Sequence, residues 1–309
     1  MPGQGLPLFP MTALYLVTGF LGVGKTTFLK NLIRLFAGKR VFLLVNEFGK
    51  VGVDGALLRE LGAELAEINN GSIFCSCRLD QFEEVLQRVA EEKPEVVLVE
   101  SSGLSDPTNV RRVLAGYPQI EYRGSICVAD AVNLHRVFST AMVCRKQLAV
   151  SSLVLLNKID LAEKGQREAA RALILEANPA ACIEETSFGR LEPEWLSRLT
   201  PDVELEEGAA ARDITLQKAL AVVAPEANKK RLESWLRLLS ESTYRIKGFV
   251  RLSGEVCFVD CTGPEVRIKP WEGGADNRLV LLAGKGMPLR RALKESVRLF
   301  DGLISHLEF

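Results

Sequence analysis

Residues 19–26 read Gly-Phe-Leu-Gly-Val-Gly-Lys-Thr and fit the pattern G-x-x-x-x-G-K-S/T of a phosphate-binding P-loop. An apolar run at 14–17 precedes the pattern and predicts a buried strand, while the apolar residues of 27–33 recur at helical spacing. In a strand, loop and helix of this kind, backbone N–H groups and the positive end of the helix converge on a phosphate. We therefore expect a nucleotide to bind at Gly19, Gly22, Gly24, Lys25, Thr26 and Thr27.

A carboxylate follows the third apolar run along the chain, predicted to be the third strand, in residues 97–103, which read Val-Leu-Val-Glu-Ser-Ser-Gly. At the end of a buried strand beside the P-loop strand, Glu100 can hold Mg²⁺ together with the Thr26 hydroxyl. Gly103 can bring a backbone N–H to the γ-phosphate, which the Lys25 side chain also reaches. An acidic residue after an apolar strand is common by itself, and its place after a P-loop makes Lys25 and Glu100 predicted catalytic residues.

The base is predicted to be guanine. Residues 157–160 read Asn-Lys-Ile-Asp after a buried apolar run and match N-K-x-D. The Asp160 carboxylate can accept bonds from the guanine N1–H and 2-amino groups, whereas adenine would leave it desolvated and unpaired. Asn157 can meet the guanine edge, and the Lys158 stem can stack along the ring. GTP and GDP are the expected nucleotides, with Mg²⁺ as the metal cofactor.

Two further carboxylates, Glu47 and Asp54, follow the second apolar run, in and after the segment Asn-Glu-Phe-Gly at 46–49. Each can bind metal or orient the water that attacks the γ-phosphate, and a solvated loop carboxylate is the alternative for each. Hydrolysis of this kind depends on positioning and charge stabilisation. We therefore add Glu47 and Asp54 to the predicted catalytic residues.

The apolar runs predict an α/β fold. Near-continuous runs at 14–18, 41–45, 96–99, 125–128 and 153–156 are typical of strands buried on both faces. Helical spacing recurs near residues 26–36, 80–91, 108–115, 146–150 and 165–177. This alternation predicts a P-loop NTPase fold with a mostly parallel sheet and helices on both faces, spanning a GTPase domain at residues 1–205.

The alternation of apolar strand-like runs with helical stretches ends after Pro193. Residues 194–212 predict a final helix and an acidic linker, with the linker proper at 206–212. Beyond it, 226–239 and 289–300 have helical spacing, while 244–252, 255–260, 265–268 and 278–282 are strand-like with turn residues between them. These features predict a small α+β C-terminal domain at residues 213–309, built largely on antiparallel strands.

Composition narrows the class of protein. The chain has 309 residues, and its 39 Lys+Arg balance its 39 Asp+Glu, so no nucleic-acid partner is indicated. No apolar stretch predicts a membrane span, and residues 1–7 lack the basic and apolar parts of a signal peptide. Seven scattered cysteines do not predict a disulfide framework. We expect a cytoplasmic protein with no membrane partner.

Taken together, the motifs resemble those of the CobW-like metallochaperone GTPases, relatives of the nickel-delivery GTPases of urease and hydrogenase maturation. The matching segments are residues 18–27, 46–49, 100–107 (Glu-Ser-Ser-Gly-Leu-Ser-Asp-Pro), 157–161 and, for the C-terminal domain, 244–250 (Tyr-Arg-Ile-Lys-Gly-Phe-Val). The resemblance implies GTP binding, slow hydrolysis, and transfer of a transition metal, Zn²⁺ or Co²⁺, to a client metalloprotein. It also implies a nucleotide-dependent homodimer.

One segment departs from the family pattern, which places C-x-C-C after an Asn-Gly pair. Here Ser72 and Phe74 stand where the first two cysteines are expected, Cys75 falls on a family position, and Cys77 is an addition. Two thiolates can still hold a soft or borderline metal, with Glu47 or another group completing the shell, in an open site that suits transfer. Ordinary thiols at a strand or loop edge are the alternative.

Two other functions stay open. One is a metal-independent regulatory GTPase, and the other is a redox-thiol activator of a corrinoid-type client, with Cys75 and Cys77 acting as thiols. Other ligands are few, because His135 and His306 are the only histidines. The segment 46–49 and Asp54 lie where a nucleotide-dependent switch segment is expected. Since residues 69–77 lie between this switch segment and Glu100, nucleotide state can couple to them.

Overall fold

The computed structural model describes residues 11–47, 64–69, 79–201, 216–284 and 286–309. Contacts divide the chain into two compact units. The first comprises residues 1–135 and 143–212, and the second comprises residues 136–142 and 213–309.

The first unit contains a seven-stranded sheet in the order β3-β2-β4-β1-β5-β6-β7, with every neighbouring pair parallel. Its strands are β1 Thr12–Thr18, β2 Val41–Glu47, β3 Glu64–Asn69, β4 Val96–Glu100, β5 Ile120–Asp130, β6 Leu153–Asn157 and β7 Cys182–Glu185. All residues of β4 and β6 are buried, as their continuous apolar sequences predict.

Helices cover both faces of this sheet. In chain order, the described helices between residues 25 and 177 are α1 Lys25–Leu35, α2 Leu79–Glu92, α3 Val110–Leu114, α4 Leu134–Thr140, α5 Met142–Ala149 and α6 Lys164–Ala177. Most of α4 belongs to the second unit. Phe82 of α2 packs in one buried cluster with Leu14 and Leu16 of β1. On the opposite face, the Tyr15 ring lies 5.4 Å from that of Phe36, which ends α1. The alternation of side chains along β1 therefore places α1 and α2 on opposite sides of the sheet.

The second unit is built on an antiparallel sheet in the order β11-β10-β9-β12-β8-β13. Its strands are β8 Leu216–Val223, β9 Arg245–Leu252, β10 Glu255–Thr262, β11 Glu265–Pro270, β12 Arg278–Gly284 and β13 Ile304–Glu308. Helices α7, Lys229–Leu239, and α8, Leu289–Leu299, pack on it. Trp235 and Leu293 from the two helices join Ile246 and Val250 of β9 in one core.

These sheets confirm the predicted fold class, but several elements differ from the sequence interpretation. Strands β3, β7, β8 and β13 and helix α4 were not predicted. Because β3 precedes it, the strand that ends at Glu100 is the fourth along the chain and not the third. The predicted final helix near residue 194 is only a short 3₁₀ segment, Pro193–Arg198, with proline at its start.

Within the described ranges, no helix combines the length and the apolar character that crossing a membrane requires.

Candidate functional site

The parallel register brings the predicted motifs to one edge of the first sheet. Val17 at the end of β1 pairs with Glu100 at the end of β4, and Thr18 pairs with Cys127 of β5. Asp130, which ends β5, pairs with Asn157, which ends β6. The residues that follow these four strands therefore meet at their carboxyl ends, where ligands of open α/β sheets bind.

The P-loop leads directly into α1. Gly24 caps the helix with a φ of +102°, a left-handed conformation that glycine adopts without a steric cost. A Cβ atom at this position would lie 2.7 Å from Nδ2 of Asn157. Helix α1 has neither a side-chain cap nor an acidic residue in its first turn. Its positive end is therefore suited to an anion such as a phosphate.

Lys25 lies across its own loop. Its Nζ atom donates to the carbonyl oxygens of Gly19, at 2.8 Å, and Phe20, at 3.0 Å, and only 9% of the residue is exposed. Thr26 is half-buried beside it, and Thr27 is exposed. The structure thus places the ammonium group over the loop that the sequence predicts to surround phosphates.

The segment after β4 contacts the end of β1. Glu100 is 8% exposed, and the next residue, Ser101, donates its N–H to the Val17 carbonyl at 2.9 Å. The Ser101 hydroxyl also donates to Oγ1 of Thr18, at 3.0 Å. These contacts hold the Glu100 segment beside the start of the P-loop, as the predicted Mg²⁺ ligand pair requires.

Asn157 connects the P-loop to the loop that follows β7. Its Nδ2 donates to the Val23 carbonyl at 2.9 Å, and its Oδ1 accepts the Gly189 N–H at 3.0 Å. The residue is 2% exposed. Both ends of the amide already form hydrogen bonds with the backbone. This geometry therefore favours a role in which Asn157 holds the two loops together. The sequence had suggested a different role, a contact with the guanine edge.

The other two residues of the N-K-x-D motif are also fixed. Lys158 has a φ of +63°, and its Nζ forms an ion pair at 2.8 Å with Asp130, which is 5% exposed. Asp130 also accepts the backbone N–H of Val132 at 2.9 Å. Asp160 is exposed, and its N–H donates to the Ser187 hydroxyl at 3.3 Å. The Asp160 backbone is therefore held against the loop after β7.

Sequence reasoning missed the loop at residues 187–189, because it did not predict strand β7. Asn31 of α1 donates to the carbonyl of Gly189 at 2.7 Å, and this contact ties the loop to the helix that follows the P-loop. Phe188 in the same loop is 64% exposed. The loop thus lies next to Asp160, the residue predicted to select the base.

Comparison with known proteins identifies the family. The CobW/HypB/UreG nucleotide-binding domain matches residues 13–184, more than half of the chain. The chain belongs to the CobW/HypB/UreG family. The C-terminal domain of the cobalamin synthesis protein CobW matches residues 220–299. These matches confirm the predicted resemblance to the CobW-like metallochaperone GTPases.

Individual relatives cover the chain to different extents. The zinc chaperone YeiR of Escherichia coli is 36% identical over an alignment of 158 residues, which covers 48% of this chain and 47% of YeiR. The chain thus spans about half the length of that relative. The zinc chaperone CobW of Pseudomonas aeruginosa is 29% identical over 307 residues, with 82% of this chain and 80% of that protein covered.

Among solved structures, the Zn(II)-bound YjiA GTPase from E. coli has 17% sequence identity and a TM-score of 0.48, and covers 94% of this chain and 99% of its own.

The described cysteines serve mainly in packing. Cys127, Cys144, Cys257 and Cys261 are buried. Burial raises the pKa of the Cys144 and Cys261 thiols to about 12 and shifts the pKa of the Cys127 and Cys257 thiols in the same direction. Since a metal binds the thiolate, these four neutral thiols are poor ligands. Half-buried Cys182 instead accepts a bond from Nη1 of Arg198, at 3.6 Å.

The predicted transition-metal ligands are only partly covered by the structure. Asp54, Cys75 and Cys77 lie outside the described residues. Glu47 is the last residue of β2, where it pairs with Asn69 of β3. His135 is exposed on α4. Among the residues that the structure covers, no group of three or more His, Cys, Asp or Glu side chains could hold a metal ion. The ligand set Cys75, Cys77 and Glu47 therefore stays a prediction.

Proposed function

We propose that this chain is a Mg²⁺-dependent GTPase that couples its nucleotide state to the delivery of a transition metal to a client metalloprotein. Zinc is the metal that we propose first. The observation that supports the nucleotide part is that the Asn157 side chain donates to the Val23 carbonyl and accepts the Gly189 N–H. These two bonds join the phosphate loop, the N-K-x-D motif and the loop beside Asp160 into one site. The relatives described as zinc chaperones support the metal part.

Guanine selection is assigned to Asp160. Its carboxylate lies at the exposed end of the motif, while Asn157 and Lys158 are held by the P-loop and by Asp130. A carboxylate there matches the two donors on one edge of guanine and would lose both with adenine. The Lys158 stem, anchored at its Nζ by Asp130, is suited to lie along the ring.

The phosphate end has a donor set that fits Mg²⁺. Thr26 supplies a hydroxyl at the start of α1 and Glu100 a carboxylate at the end of β4, and Mg²⁺ prefers such oxygen ligands while keeping several waters. Mg²⁺ held there would neutralise charge on the phosphates. Lys25 and the Gly103 N–H are the proposed partners of the γ-phosphate, and Glu47 and Asp54 the proposed groups that orient the attacking water.

The transported metal is a substrate of the cycle. We assign its binding to Cys75 and Cys77, with Glu47 as a third ligand. Two thiolates and a carboxylate match the ligand preference of zinc and leave a coordination position open for a client ligand. A site of this type can release its ion to a client without a separate step that opens a closed Cys₄ shell.

Nucleotide turnover tests the first part of the proposal. The purified full chain should hydrolyse GTP much faster than ATP and lose this activity when Mg²⁺ is removed by a chelator. Glu100→Gln should lower turnover by about 10²-fold, because a metal ligand is lost. Glu168→Gln, at an exposed carboxylate on α6, is the matched control and should turn over GTP normally. Equal hydrolysis of ATP and GTP would refute guanine selection.

Metal binding tests the second part. Zinc affinity of the full chain should differ between the GDP state and a state loaded with a non-hydrolysable GTP analogue, and equal affinity would refute coupling. Cys75→Ser and Cys77→Ser should each lower zinc affinity, whereas Cys182→Ser should not.

Client activation that survives loss of both Cys75 and Cys77 would favour the regulatory GTPase, and reversible Cys75–Cys77 oxidation in metal-free protein would favour the redox activator. Light scattering in both nucleotide states checks the proposed homodimer.

A further inference from the structure

We propose that Gln147 of α5 is a positioning residue for GTP hydrolysis, which holds the loop after Glu100 so that Gly103 stays against the P-loop. This inference rests on the proposed GTPase function and adds to it a group that lies behind the site, outside all of the sequence motifs. The hydrogen bonds of the Gln147 side chain go to the backbone of this loop, and Gln147 would act through the loop.

The side chain of Gln147 is completely buried and points at the backbone of this loop. Its Nε2 donates to the carbonyl of Gly103 at 3.2 Å and to the carbonyl of Ser105 at 3.1 Å. These two carbonyl acceptors show that the NH₂ end of the Gln147 amide faces the loop. The opposite orientation would place Oε1 against the carbonyl oxygens of Gly103 and Ser105, and an oxygen cannot donate to them. The bonds therefore define the position of the peptide on either side of Leu104.

The oxygen at the other end of the Gln147 amide lacks a hydrogen-bond partner among the described residues. This oxygen, Oε1, is buried. A buried polar atom without a partner is a cost to stability that an apolar side chain of the same length would avoid. This cost is unexplained if Gln147 only fills space, and it is explained if the two bonds from Nε2 are required.

Neighbouring contacts support the same loop from two other directions. Next to Gln147 on α5, Lys146 pairs through Nζ with Oδ2 of Asp106 at 2.6 Å. From β2, Oδ1 of Asn46 accepts the Ser102 N–H at 3.3 Å and the Ser105 hydroxyl at 3.2 Å. Helix α5 and strand β2 thus hold the loop between them.

The position of the loop matters because Gly103 lies directly on the P-loop. A Cβ atom at Gly103 would come within 2.8 Å of the Leu21 backbone nitrogen and 2.7 Å of Cδ2 of Leu21. Release of the loop by α5 would move the Gly103 N–H away from the γ-phosphate position while leaving the base site in place. The expected signature is a loss of turnover with little change in nucleotide affinity.

The test compares Gln147→Met with Gln217→Met in the full chain. Gln217 of β8 makes the same kind of contact in the second unit, with Nε2 donating to Gly284 at 2.7 Å and to Met287 at 3.2 Å. Gln147→Met should lower the kcat for GTP by about tenfold or more, with KM and GDP affinity changed by less than about threefold. Gln217→Met should leave kcat unchanged.

A second pair of variants covers the case in which Gln147→Met does not fold. Lys146→Met removes only the ion pair with Asp106, and Arg245→Met removes the comparable Arg245–Asp260 pair of the second unit. Lys146→Met should lower kcat without raising KM, and Arg245→Met should change neither.

An unchanged kcat in both α5 variants, or an equal loss in the two controls, would overturn the proposal. If the unaltered protein does not hydrolyse GTP, the proposed function fails and not the role of Gln147 alone.

Discussion

At the scale of single residues, Asp160 carries the predicted choice of base. Asp160→Asn replaces an acceptor by a group that also donates, so it should lower GTP affinity by about 10²-fold and raise affinity for xanthosine triphosphate, whose C2 carbonyl accepts a bond. Competition binding with GTP, ATP and xanthosine triphosphate measures the change. Asp276→Asn, at an exposed carboxylate of the second unit, is the control. Unaltered GTP preference in Asp160→Asn would assign the base to other groups.

Asn157 separates a structural role from base reading. Asn157→Ala removes the bonds to Val23 and Gly189 and should weaken GTP and GDP binding alike, by about tenfold, because the two loops lose a shared anchor. The ratio of GTP to ATP affinity should stay constant if Asn157 holds the loops. Binding titrations with both nucleotides distinguish this result from a fall in that ratio alone, which would show that Asn157 contacts the base.

The residues of the site differ in how far sequence could predict them. The P-loop, Glu100 and Asp160 lie in short motifs whose chemistry is local, so they can be recognised without knowledge of the fold. Gln147 and its acceptor Gly103 are 44 positions apart, and Asn46 and Ser102 are 56 apart. Contacts of this kind form only when β2, β4 and α5 have assembled, so no local sequence pattern predicts them.

Among the elements, the five central strands of the first sheet were predicted, whereas three of the four edge strands of the two sheets were missed. In the second sheet the edge strand β11 was predicted and the interior strand β8 was not. Strands β4 and β6 are continuous apolar runs, whereas β3, β7 and β13 lie at sheet edges. Strand β3 has three polar residues among its six, and β7 is only four residues long and half-buried throughout. Such strands gain stability from pairing with a distant neighbour, and composition alone gives little sign of them.

The packing of α7 on α8 yields a prediction at the scale of elements. Nε1 of Trp235 donates to Oγ of Ser296 at 2.9 Å, and both residues are completely buried. Ser296→Ala leaves the indole N–H buried without an acceptor and should destabilise the second unit by about 1–3 kcal/mol. Chemical denaturation followed by tryptophan fluorescence measures this loss.

Ser234→Ala, at an exposed serine of α7, is the matched control and should change stability by less than about 0.5 kcal/mol. Equal stability of the two variants would mean that the Trp235–Ser296 bond contributes nothing to the packing of the helices.

At the scale of the whole molecule, the second unit includes a segment from the middle of the chain. Residues 136–142 group with residues 213–309, although the predicted C-terminal domain begins at residue 213. Nη2 of Arg136 donates to the carbonyls of Ser240 at 3.0 Å, Glu241 at 2.6 Å and Thr243 at 2.9 Å. These carbonyls follow the end of α7, where a cation also interacts favourably with the helix dipole.

Arg136→Met should therefore destabilise the second unit, although the substitution leaves residues 213–309 unchanged. Loss of bonds from a charged donor should cost about 2 kcal/mol, which lowers the thermal midpoint of a unit of about 100 residues by about 10 °C. In a Trp195→Phe background the remaining tryptophans, Trp235 and Trp271, both report on this unit. Arg298→Met, at an exposed arginine of α8, is the control. A lower thermal midpoint for Arg136→Met than for Arg298→Met would show that the 136–142 segment belongs to the fold of the second unit. Equal thermal midpoints in the two variants would show that the second unit is complete without residue 136.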